Sequence, residues 1–107
     1  MRHAEVYWNR ILAGILSEID DNGYEFKYDS EYFKDSSQPA ICLTIPKTKL
    51  THTSKYLFPF FYNMLSEGTN RVLQLKQLKI DEKDSFGLLL ATAQYDTIGA
   101  ITVKQID

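Results

Sequence analysis

Residues 20–23 read Asp20-Asp21-Asn22-Gly23, an Asn-Gly pair set between two alternating apolar runs. Both residues adopt positive φ readily, as the tight turn of a β-hairpin demands, so this pair commits the chain to antiparallel strands. On its N-terminal side Ile11 to Glu18 reads as a strand, with Gly14 marking a bulge or a close backbone approach. On its C-terminal side Tyr24, Phe26 and Tyr28 line one face while Glu25 and Lys27 line the other. Further upstream Ala4, Val6 and Trp8 alternate with Glu5 and Tyr7, and Asn9-Arg10 forms the two-residue turn that joins this strand to the next. The opening of the chain is a meander.

Periodicity then changes. Ser30 to Lys34 predicts one helical turn capped by Asp29 or Ser30. Asp35 to Pro39 is a turn, and Ile41, Leu43 and Ile45, alternating with Cys42 and Thr44, predict a fourth strand that Pro46 ends. Lys47 to Lys55 reads as a polar, basic loop, the segment expected to be most mobile. Leu57 to Leu65 predicts a short helix that tolerates Pro59 in its first turn. Its residues Phe58, Phe61, Met64 and Leu65 share one face that must be covered. A second helix over 69–79 places Val72, Leu75 and Leu78 at helical spacing, and a third runs over 84–94 with Asp84 as N-cap. Ile98 to Gln105 closes the chain as a β-branched strand. The fold class is therefore α+β. One small domain spans residues 1–107, with a mostly antiparallel sheet (the meander plus the C-terminal strand) packed against about three helices. Trp8, Phe26, Phe61, Leu89 and Ile101 fall on the apolar phase of their elements and are expected to meet in the core.

Composition excludes several classes. At 107 residues, 44% apolar and a net charge of −2, the chain suits one compact core and not a disordered segment. The longest apolar run, Phe86 to Ala91, is far short of a membrane span. Arg2 and His3 are followed by Glu5 and Trp8 where a secretory signal needs an apolar stretch. Cys42 is the only cysteine, and a cytoplasmic location is expected. Charge is uneven: residues 36–79 carry six bases against Glu67 alone, between two acidic flanks. A basic middle could face nucleic acid or an acidic protein partner, although the pI of about 5.6 is not that of a typical DNA-binding domain.

The chemistry-bearing residues are few. His3 and His52 lack ligand-spaced neighbours of the kind a zinc site needs and read as surface residues. Cys42 has no adjacent base and reads as a small buried hydrophobe. No glycine-rich phosphate loop, nucleophile elbow or kinase catalytic motif is present. The acids of Asp81-Glu82-Lys83-Asp84 suit a helix N-terminus better than a cation. The expectation is no catalytic residue, no metal, no cofactor and no enzyme activity.

Five segments in order carry a resemblance. They are Val6 to Leu16, Tyr24 to Phe33, Ala40 to Pro46, Leu57 to Gly68, and Phe86-Gly87-Leu88-Leu89 with Asp96 to Val103. Together they are similar to the N-terminal subdomain of HipA-type serine/threonine kinases, whose aromatic helix runs close to Phe58-Pro59-Phe60-Phe61-Tyr62-Asn63-Met64-Leu65. This chain stops where that subdomain would stop, so the resemblance implies that the kinase core is a separate chain. In some operons the subdomain is a small protein, HipS, beside a shortened kinase, HipT, and a DNA-binding HipB. The resemblance implies an antitoxin that docks on a HipT-like kinase, with a HipB-like protein in a ternary complex and no specific nucleic-acid binding or membrane of its own.

The resemblance also implies where the contact lies. In the family the turn after the aromatic helix points to the kinase site, which here means Ser66, Glu67, Gly68, Thr69 and Asn70. Glu67 and Gly68 match the family pattern, but Ser66 replaces a proline and Thr69 a tryptophan. Inhibition would then rest on polar contacts or a wider surface, and the turn also reads simply as a helix linker. Two alternatives stand beside the antitoxin. One is a structural subunit that completes the kinase lobe without inhibiting it. The other is a nucleic-acid or ligand-binding domain using the basic 47–55 loop.

Overall fold

The computed structural model describes residues 2–19, 23–63, 65, 73, 75–81, 83–92 and 101–106. Asn9 and Arg10 both take positive φ, 47° and 70°, and form the tight turn expected between β1 (His3–Trp8) and β2 (Ile11–Ile19). The two strands pair antiparallel from Trp8↔Ile11 to His3↔Ser17. Their register slips between Val6↔Gly14 and Tyr7↔Leu12, so Ala13 is the extra residue of a β-bulge. The bulge has a use: the Asp29 N–H donates to the Ala13 carbonyl at 2.7 Å, fixing the chain where the first helix begins. Next to it, a Cβ on Gly14 would overlap the Lys27 carbonyl oxygen and lie 2.6 Å from Phe26 Cζ. Gly14 thus marks both the bulge and the close approach that the sequence suggested.

β3 (Gly23–Tyr28) pairs antiparallel with β2 from Gly14↔Tyr28 to Ile19↔Gly23. Because Tyr24 pairs with Glu18, the connection is longer than a two-residue Asn-Gly loop and Gly23 already belongs to the strand. Asp20, Asp21 and Asn22 lie outside the described residues. α1 (Ser30–Lys34) follows, with the Asp29 carboxylate accepting from the Tyr32 N–H at 3.4 Å.

The fourth strand is not where alternation placed it. Residues 41–45 form a tight turn with a single bridge, Cys42↔Ile45, rather than a strand. Ile41 and Ile45 point into the core at 5% and 0% exposure, whereas Leu43 is 98% exposed. The cause lies on β3. The buried Tyr28 hydroxyl donates to the Ile45 carbonyl and accepts from the Ile41 N–H at 3.2 Å, satisfying two backbone groups a sheet would otherwise pair. Burial pushes the Tyr28 phenol up to about 12, so it stays a donor at any physiological pH. Tyr28→Phe removes both bonds and leaves buried backbone groups unpaired, at about 1–3 kcal/mol. The expected result is a lower urea midpoint at unchanged m value.

The segment expected to be a mobile loop supplies the missing strand. β4 (Thr51–Ser54) pairs antiparallel with β3 from Lys27↔Thr51 to Tyr24↔Ser54. The Tyr28 N–H extends the pairing to the Leu50 carbonyl at 2.9 Å. Lys47 is also committed, its ammonium group donating to the Asp35 and Gln38 carbonyls at 2.7 and 2.8 Å. β5 (Ile101–Gln105) pairs with β1, from Trp8↔Ile101 to Ala4↔Gln105, and the sheet order is β4-β3-β2-β1-β5.

One face of this sheet carries the core. Ala4, Val6, Leu16, Phe26, Ile101 and Val103 are buried there against α2 (Pro59–Tyr62) and α3 (Ser85–Thr92). Pro59 occupies the first turn of α2 as expected, Phe61 is buried within it, and Phe58 and Leu65 on either side of it are buried as well. Met64 lies outside the described residues. Of the five residues expected in the core, Phe26, Phe61, Leu89 and Ile101 are buried, and Trp8 packs at the margin, half-buried. The helix read over 69–79 is helical at 73 and 75–78, and Lys79 ends it at φ 56°. Leu75 packs on the core while Leu78 is 45% exposed, so its apolar stripe is only partly covered.

Candidate partner-binding site

Ser66, Glu67, Gly68, Thr69 and Asn70, the turn expected to touch a partner, lie outside the described residues. The frame leading into them is defined. Phe61 packs edge-on to Phe58 and Phe60, with ring centroids 6.2 and 5.3 Å away, and against Phe26 at 6.1 Å. The Leu65 N–H donates to the Tyr62 carbonyl at 3.0 Å, and Leu65 itself is 6% exposed. Aromatic packing thus anchors Phe58 to Phe61, and Leu65, the residue before Ser66, is itself buried.

Beside that frame runs a groove of about 380 Å³ lined by Tyr24, Lys55, Tyr56, Leu57, Tyr62, Lys83 and Ser85. Its residues come from the start of β3, the β4–α2 connection, the end of α2 and the N-terminus of α3. Tyr24 stacks edge-on to Phe86, 5.8 Å between centroids, which roots one wall in the core. Burial raises the Tyr24 phenol above its ordinary value. Lys55 lies over the Tyr56 ring at 5.8 Å. No sequence pattern announces this groove, because four elements converge on it.

Arg2 builds a second polar feature that the sequence reading missed. Its guanidinium grips Glu18 with Nε and Nη2 at 3.0 and 2.8 Å, and Asp84 with Nη1 and Nη2 at 3.0 and 2.8 Å. It also lies 5.3 Å from the centre of the Phe86 ring. The Gly87 N–H donates to Asp84 Oδ1 at 3.0 Å, so Asp84 does cap α3 as expected while also holding Arg2. This explains the glycine of Phe86-Gly87-Leu88-Leu89: a Cβ there would overlap Asp84 Oδ2 and lie 3.0 Å from Arg2 Nη1.

Hydrogen bonds from Arg2, first among several causes, hold the Glu18 and Asp84 carboxyls below their ordinary values. Both favour the ionised form in the folded state. The stability they contribute is fully present above about pH 4–5 and is lost as pH falls through their lowered values. Arg2→Gln is therefore expected to flatten the acid limb of a stability-against-pH curve. A melting series below neutral pH checks it.

The histidines and the cysteine are occupied structurally. His3 is in β1, half-buried, with Nδ1 at 2.8 Å from the buried Ser17 hydroxyl. His52 places Nε2 at 2.9 Å from the Pro46 carbonyl and packs edge-on to Tyr28. Both are less exposed than the sequence suggested. Cys42 is half-buried at the 41–45 turn, its sulfur 3.4 Å from Thr44 Oγ1, and not inside a strand. Among the described residues no group of three His, Cys, Asp or Glu side chains is placed to hold a metal ion. No described helix is long and apolar enough to cross a membrane.

A family model described as the HipA N-terminal domain matches residues 4–104. The chain belongs to the HipA N-terminal domain family. A Haemophilus influenzae protein (strain ATCC 51907 / DSM 11121 / KW20 / Rd), described only as uncharacterised, is 27% identical over 105 residues. That match covers 98% of this chain and 93% of the Haemophilus protein. A solved structure, the N-terminal domain of HipA toxin, shares the fold with a TM-score of 0.74 at 24% identity, covering 100% of this chain and 94% of that one. The HipA N-terminal domain fold accounts for the meander, the closing C-terminal strand and the aromatic helix in one arrangement.

Proposed function

We propose that this chain is a non-catalytic antitoxin component that binds and neutralises a HipT-like or HipA-like serine/threonine kinase toxin in the bacterial cytoplasm. One observation carries the reading. The same domain is the N-terminal part of a HipA toxin in one relative and nearly the whole of another protein in the Haemophilus relative. A domain that occurs both joined to a toxin and almost alone can occupy, as a free chain, the place its fused counterpart holds. A HipB-like DNA-binding protein would complete a ternary complex.

Ser66, Glu67, Gly68, Thr69 and Asn70 are the proposed contact. They follow directly on the buried Leu65, and four of them are small or uncharged, so substitution there spares the core. Glu67 supplies a carboxylate able to engage the basic groups with which a kinase holds ATP phosphates. Glu67→Lys is expected to change folding stability by no more than about 0.5 kcal/mol and to weaken neutralisation. Thr69→Trp is expected to strengthen it, since a tryptophan anchor seated in a pocket contributes about 2 kcal/mol or more.

Co-expression with the cognate kinase tests the function, reading growth and co-purification together. Rescue with co-purification supports the antitoxin reading. Co-purification without rescue would make the chain a structural subunit of the kinase, and failure of both would end the kinase reading. Full rescue by Glu67→Lys with unchanged binding would remove the turn from the mechanism.

A further inference from the structure

Lys55 and Lys83 reach the same groove from opposite sides, one just after β4 and the other just before α3. Among the described residues neither ammonium group has a carboxylate within ion-pairing distance, since the ion pairs there belong to Arg2. The described acids beside Lys83 are otherwise engaged. Asp84 is held by Arg2 and the Gly87 N–H, and Asp81 accepts from the Lys83 backbone N–H at 2.8 Å. We propose that this groove docks an acidic peptide segment of a partner protein, a role independent of whether the chain neutralises a kinase.

Charge argues for an anionic occupant. Two lysines, Lys55 and Lys83, face a cleft beside the N-terminus of α3, and their ammonium groups give it positive charge. Tyr24 and Tyr56 supply phenolic donors for carboxylate oxygens, and the tyrosine rings supply flat apolar surface for the peptide's carbon atoms. Tyrosine is also over-represented among the residues that dominate protein–protein binding energy.

Shape argues for a peptide over a small molecule. A volume of about 380 Å³ is near the bottom of the range of roughly 300–1,000 Å³ for ligand clefts. Such clefts enclose most of a small ligand, yet here Tyr56 is 71% exposed and Tyr62 47%. Walls that open accommodate an extended chain that passes through, with one or two carboxylates between the lysines. Tyr24, rooted against Phe86, gives the groove a wall that does not need to reorganise on binding.

The probe is a fluorescein-labelled hexaglutamate peptide titrated with the full chain and read by anisotropy, with hexaglutamine as the uncharged control. Hexaglutamate is expected to bind in a salt-sensitive way and hexaglutamine at least about tenfold more weakly. The double variant Lys55→Gln/Lys83→Gln is expected to lose about tenfold, the worth of two partly exposed ion pairs, with an unchanged melting temperature. Tyr56→Ala is expected to weaken hexaglutamate as well. No binding of hexaglutamate, equal binding of the two peptides, or full affinity in the lysine double variant would overturn the proposal. So would tighter binding of a short DNA duplex that the same lysine changes abolish, because that would make the groove a nucleic-acid site.

Discussion

Phe61→Ala is expected to leave the isolated domain largely unfolded. The Phe61 ring is fully buried, with Phe58, Phe60 and Phe26 around it, so truncation opens a cavity at the junction of α2 and the sheet. Phenylalanine-to-alanine changes in cores cost about 3–5 kcal/mol, a large share of the roughly 5–15 kcal/mol that holds a small domain together. Circular dichroism melting of the variant checks this. Melting within a few degrees of the parent would show that Phe61 is not part of the load on the core and that its surroundings collapse without cost.

Gly14→Ala is expected to be clearly destabilising although it adds only one methyl group. That methyl would be driven against the Lys27 carbonyl and the Phe26 ring, and it would lie 3.0 Å from Tyr28 Cα. Overpacking a core costs about 1–3 kcal/mol, and the obstruction here is mostly backbone of the paired strand, which yields least. Gly23→Ala is the internal control. There the new methyl meets the flexible Ile19 side chain at 3.0 Å, so the neighbour can move aside and the loss is expected to be much smaller. Parallel urea titrations would rank the two, and equal midpoints would refute the account of Gly14.

These residues also show where sequence reasoning stops. The meander was legible because period-two alternation and the Asn9-Arg10 turn are local signals, needing no knowledge of partners. Residues 41–45 misled because Ile41 and Ile45 are four apart. That spacing suits one face of a strand, and equally a turn whose two ends face inward while Leu43 faces out. The deciding group, the Tyr28 hydroxyl, is 13 residues away from Ile41. β4 was missed for the opposite reason. Thr51 to Ser54 is polar and carries no buried stripe, so its place in the sheet rests on backbone pairing and the β-preference of threonine. The Arg2–Asp84 pair spans 82 positions and leaves no periodic trace. As for candidate contacts, residues 66–70 were suggested only by family resemblance and lie outside the described residues, and the lysine–tyrosine groove emerges only once its elements are assembled.

The placement of β5 has a consequence for how the domain is made. Its neighbour is β1, so β1 waits for a strand synthesised much later in the domain, as in Val6↔Val103. While the chain emerges from the ribosome, β1, β2 and β3 can pair, but the outer edge of β1 stays open and its apolar Ala4 and Val6 stay partly uncovered. Pairings this distant in sequence form slowly, and an open strand edge is a template for joining other chains. Chains interrupted before Ile101 are therefore expected to accumulate as aggregates. A copy of this domain with its final strand in place would be the first species free to meet a partner.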